Sequence, residues 1–140
     1  MRVEVYWNLH KRLFSVRALE GEHKGRVIDH AYGVTLKDAK FVVQPAGRER
    51  VRREGKKNVH AFVRGRLCFL SINGDTFGRD GLLLPHGQKI TYNPFAHDTF
   101  VELNNKSPVH EANIVAMDVM LGEGNPFPRI MAFNKNFCYS

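Results

Sequence analysis

The sequence predicts an α+β fold: residues 1–140 form one basic β-rich domain, a mostly antiparallel sheet or small barrel carrying one or two short helices. Three observations predict it. Short runs alternate apolar and polar residues with the period of a half-buried strand. Gly, Asn and Pro punctuate those runs. A single stretch, 45–54, has a convincing helix signature at both ends.

Taken in order, Val3, Val5 and Trp7 alternate against Arg2, Glu4 and Tyr6, which reads as a strand. The alternation resumes from Leu13 to Leu19 after the connection Asn8 to Lys11, so the two runs form a hairpin. A turn over Glu20–Gly25 leads to a third strand at Arg26–His30. Thr35-Leu36-Lys37-Asp38 reads as a short helical turn capped by the threonine hydroxyl. Phe41-Val42-Val43 is β-like, and Pro45 then stands at a favoured first helical position. Gly55 suits the C-terminal stop of a helix over 45–54, with Glu49–Arg53 a favourable i,i+4 pair. That helix has few apolar positions, chiefly Ala46 and Val51, so its arginines are expected in solvent. Strands are predicted at Val59–Arg64 and Leu67–Ile72, interrupted at Gly65. A loop spans Gly74–Gly87, and further strands are predicted at Lys89–Tyr92, Thr99–Leu103, Ala112–Met120 and Arg129–Phe133.

Charge is the most informative feature for function. Arg48 to Arg66 holds eight basic residues against Glu49 and Glu54, six of the chain's seven net positive charges. A field that concentrated attracts anions, and phosphate most often explains such a patch. No apolar run approaches a bilayer span of about 20 residues, so no membrane partner is expected. The N-terminal run carries Glu4 and lacks the apolar block of a signal peptide. With two cysteines and no framework, a reduced cytoplasmic setting is the default, and Cys68 reads as a buried thiol within LCFL.

Within the basic segment His60, Phe62 and Arg64 share one strand face. A base stacked on Phe62, with phosphates held by Arg50, Arg53 and Arg64, is a coherent ligand site. The competing expectation is a solvated helix face with Phe62 in the core. Tyr92 and Asn93, within KITYNPFAHDTFV, would supply an aromatic wall and a polar edge, or the loop would simply plug one end of a barrel. Four histidines adjoin an acid, yet neighbours on a strand face opposite ways, and no HExxH, paired CxxC or Asp-rich loop is present. No metal or other cofactor is expected. A metal-free ribonuclease would need two proton-transfer groups, for which His60 and His110 are the candidates. Glycine-rich phosphate loops and serine-nucleophile motifs are absent.

FVVQPAGRERVRREGKKNVHAFVRG (41–65), with ITYNPFAHDTFV and SPVHEANIV, resembles a group of small uncharacterised bacteriophage proteins. The resemblance implies a phage context in the host cytoplasm and no assigned activity. By analogy of class alone, anti-Thoeris and anti-CBASS sponges suggest a homo-oligomer that sequesters a cyclic-nucleotide signal without cleaving it. The expectation is therefore a non-catalytic accessory protein that captures a phosphate-bearing ligand through its Arg-rich patch, as a counter-defence sponge for a cyclic-nucleotide immune signal, its partner group being the phosphates of a nucleotide or nucleic acid. Its alternatives are a DNA- or RNA-binding protein, the ribonuclease, or a direct inhibitor of a host defence protein.

Overall fold

The computed structural model describes residues 1–55, 59–71, 88–119 and 128–133. Its strands are β1 (Arg2–Asn8), β2 (Leu13–Ala18), β3 (Val27–Ala31), β4 (Gly33–Val43), β5 (Ala61–Ser71), β6 (Gln88–Thr91), β7 (Val101–Glu102), β8 (Glu111–Val119) and β9 (Pro128–Phe133). The helix α1 (Pro45–Glu54) lies between β4 and β5. The strands form one sheet in the order β3-β2-β1-β5-β4-β8-β9-β6-β7, every neighbouring pair antiparallel.

The alternation read in β1 and β2 sets their register. Val5 lies opposite Val16 on one side and Val63 on the other, so apolar side chains from three strands share one face. That face continues through Leu36 and Phe41 on β4 and Val115 and Met117 on β8 as the main core. Phe14 packs edge-on to Trp7 at 5.3 Å between ring centroids.

The sheet is open in strand order but curls at its β7 end. Three strands separate β4 from β7, which in a flat sheet would be about 19 Å. Phe41 and Phe100 nevertheless lie 4.9 Å apart between ring centroids. Backbone bonds fasten this closure: Val109 N donates to Phe100 O, and Phe41 N to His110 O, each at 2.9 Å. The architecture is thus a mostly antiparallel, curled open sheet with one helix among the described residues, and not a closed barrel.

Several local expectations change. Thr35 to Asp38 is not a helical turn but part of β4, where pairing to β5 and β8 on both sides outweighs a local cap. The irregularity there is a register shift between Lys37 and Lys40, with Asp38 at φ 51. β5 runs unbroken through Gly65 rather than stopping there. Cys68 is exposed, because it is the extra residue of β5 at the register shift that pairs Leu67 with Leu36 and Phe69 with Thr35. The loop read over Gly74–Gly87 lies outside the described residues.

Helix α1 forms where its signals placed it. Pro45 opens it, Gly55 closes it in the left-handed region at φ 67, and the Gly55 N–H donates to Val51 O. Arg52 and Arg53 occupy the last turn, where cations suit the helix dipole. Val51 is buried and Ala46 exposed. Glu49 pairs with Arg48 and Arg52 rather than with Arg53.

Candidate functional site

The site is built by fastening α1 to the loop between β6 and β7. Gly47 lets the helix approach closely: a Cβ there would stand 2.9 Å from His60 Cβ. Arg48, on the same helix face as Val51, is buried and works as a clamp. Its Nε donates to His97 O at 3.1 Å, its Nη1 to Glu49 Oε1 at 3.0 Å, and its Nη2 to Asp98 Oδ1. The loop is shaped by Asn93, whose Oδ1 accepts the Phe95 N–H at 2.9 Å and whose backbone O accepts the His97 N–H at 2.8 Å. Both ring nitrogens of His97 are buried without a partner among the described residues.

Beneath the loop, His60 Nε2 and the Tyr92 hydroxyl are 3.0 Å apart. Tyr92 then stacks toward Phe100 at 5.2 Å, and Phe100 toward Phe41. Burial pushes the Tyr92 hydroxyl above its ordinary pKa of 10.0, against the opposing pull of the Arg48 guanidinium. A raised value means the folded state holds this proton more tightly than the unfolded chain. Its stabilising contribution is full below pH 10.0 and is lost as pH rises through the folded value. Tyr92→Phe is therefore expected to remove one tyrosinate step above that range in an absorbance titration. It should also cost about 1 kcal/mol in denaturant unfolding at neutral pH, through the lost hydroxyl bond.

The arginines of the basic segment separate into two groups. Arg48, Arg64 and Arg66 are each matched by acids: Arg48 as above, Arg64 by Glu4 at 3.3 Å, and Arg66 by Asp38. Arg50 and Arg53 are exposed on α1 and form no ion pair among the described residues. Arg52 reaches Glu49 only at 4.0 Å. Lys56 and Lys57 lie outside the described residues. Glu4 is the acid that takes Arg64 out of the free set. It is 4% exposed and held between Arg64 and, at 3.5 Å, Arg17, its neighbours on the flanking strands.

The predicted site residues are thus brought together only in part. His60 and Tyr92 touch, and both lie under the α1–loop contact. Phe62 is 6% exposed with the Arg64 guanidinium 5.9 Å from its ring centre, so it presents little ring face to solvent. Asn93 is exposed, with its side-chain oxygen engaged in the turn. His110 is exposed just before β8, whereas His60 is buried. Among the described residues no group of three His, Cys, Asp or Glu side chains is arranged to hold a metal ion. Phe95, which the sequence groups with Tyr92 and Phe100 around Asn93-Pro94 but which is not among the predicted ligand-binding residues, is the aromatic of this loop that is exposed, at 55%. Its position next to Asn93-Pro94 was the available signal, because a turn tip projects a side chain outward.

Among the described residues no helix is long and apolar enough to cross a membrane. No solved structure matches the chain. The Gene 82 protein of Mycobacterium phage L5 is 46% identical over 117 residues, covering 77% of this chain and 82% of that relative. Residues 1–121 match the family described as Mycobacterium phage L5 gene 82 protein, and the chain belongs to that bacteriophage family.

Proposed function

We propose that the chain is a non-catalytic phage accessory protein that binds a phosphate-bearing ligand on the exposed face of α1. The observation that carries this reading is the partition of the arginines. Arg50 and Arg53 stand in solvent without ion pairs among the described residues, while Asp98, Glu4 and Asp38 pair with Arg48, Arg64 and Arg66. Phe95 projects from the loop that Arg48 binds to the same helix. The exposed guanidinium groups suit a chain held by its phosphates, and Phe95, on the loop fastened to the Arg48 side of α1, offers an exposed ring on which a base can stack. The absence of a catalytic role is supported by His60, which is buried with its Nε2 occupied by Tyr92.

The openness of this surface favours single-stranded nucleic acid as the ligand. A second reading, capture of a cyclic-nucleotide immune signal as a counter-defence sponge, draws on the phage family membership. The purified protein, incubated with nucleotide extract from infected cells and with single-stranded oligonucleotide, distinguishes them by mass spectrometry of retained species. Intact oligonucleotide bound in preference to small nucleotides supports the first reading. A small cyclic nucleotide released whole on denaturation would replace it with the second. Cleaved products would overturn the non-catalytic reading.

A further inference from the structure

We infer that a second anion site, separate from α1, lies where β1, β5 and β4 bring three cations into one row. Arg2 stands opposite Arg66 on β5, and Arg66 opposite Lys37 on β4. Like charges directly opposite each other on neighbouring strands repel, so this row is an unfavourable piece of sheet unless something negative sits on it. The next row shows the compensated alternative: Arg17, Glu4, Arg64, Lys40 and Glu111 run across five strands with acids intervening. In the first row Asp38 takes one arm of Arg66, and the Glu20 carboxylate accepts the Arg2 backbone N–H at 2.6 Å. The Lys37 ammonium and the Arg2 guanidinium have no ion pair among the described residues.

The same place is concave. An open depression of about 390 Å³ is lined by Met1, Lys37, Arg66, Leu67 and Cys68. Local backbone geometry makes it. The β4 register shift between Lys37 and Lys40, with Asp38 in the left-handed region, redirects the strand at this point. Gly65 accommodates it from β5, since a Cβ there would meet Lys37 O at 2.9 Å. Two cations over a Leu67 and Met1 floor suit a phosphoryl group, free or at the end of a nucleotide. Arg66 lies six positions along the chain from His60, which precedes β5 under α1, about 20 Å of extended backbone, so this site stands apart from the helix surface.

Cys68, exposed on the wall, reports occupancy directly. In a Cys138→Ser background it is the chain's remaining thiol. Its alkylation by iodoacetamide, a neutral reagent, is followed with inorganic phosphate and separately with a nucleoside 5′-monophosphate, against chloride at matched ionic strength. Either anion is expected to slow alkylation about threefold at twice its dissociation constant. Protection at lower concentration by the nucleotide identifies a nucleotide's phosphate as the ligand, and equal protection identifies the phosphoryl group alone. Lys37→Gln and Arg66→Gln, checked for unchanged melting, are expected to abolish protection, while Arg50→Ala combined with Arg53→Ala retains it. Alkylation indifferent to both anions, or protection that persists in both Gln variants, overturns the site. Because the α1 variant is carried in parallel, that outcome is distinct from failure of the helix surface.

Discussion

Gly65→Ala is expected to lower stability by about 3 kcal/mol, the upper part of the range for overpacking a well-filled interior. The added methyl would stand 2.9 Å from Lys37 O, 3.1 Å from Leu36 Cβ and 3.3 Å from Ala39 Cα. The nearest of these is backbone of β4, itself paired on its far side to β8, so it cannot yield without disturbing two strand pairs. No positive φ is involved at Gly65, and the cost is steric rather than conformational. For a chain of this length the expected fall in Tm is about 10 °C, measured by circular dichroism. Gly21 is the useful contrast: its Cβ would meet nothing, and only its φ of +82 opposes alanine. A Gly65→Ala protein melting with the wild type would show that β4 and β5 do not approach as described.

The double variant Arg50→Ala with Arg53→Ala is expected to weaken single-stranded oligonucleotide binding about 10- to 100-fold. That corresponds to losing two charge-assisted phosphate contacts, discounted for their exposure. Stability should be nearly unchanged, within about 0.5 kcal/mol, because neither side chain is buried or ion-paired among the described residues. Arg64→Ala should do the reverse. It leaves Glu4, 4% exposed, with Arg17 as its remaining ion-pair partner among the described residues, and should cost about 1–2 kcal/mol of stability. Its effect on binding should be small. Fluorescence anisotropy and denaturant unfolding on the same three proteins check both halves.

That division was only partly legible in the sequence. Helix α1 was readable because Pro45, the charge spacing and Gly55 are local signals that no distant contact contradicts. The strands were readable because burial on one face imposes period two, as in β1 and β2. Thr35 to Asp38 misled because a threonine cap is a local preference of about 1 kcal/mol, and β4 is paired on both sides. The arginines could not be sorted by inspection. Arg48 differs from Arg50 only in sharing a helix face with Val51, and its partner Asp98 lies fifty residues away. Arg64 looked free because its acid, Glu4, is sixty residues distant on a strand that alternation alone does not place beside β5. Tyr92 and Phe95 flank the same Asn-Pro turn, and the curl that brings Phe100 against Phe41 decides which ring is buried.

The most direct test of the phosphate-binding role of α1 is the salt dependence of single-stranded oligonucleotide binding, compared between wild type and the Arg50/Arg53 double variant. Each phosphate neutralised on a single strand contributes about 0.7 to the slope of log affinity against log salt. Two lost contacts are therefore expected to make the slope shallower by about 1.4. Equal slopes in the two proteins, or no oligonucleotide binding by the wild type at low salt, would contradict the account.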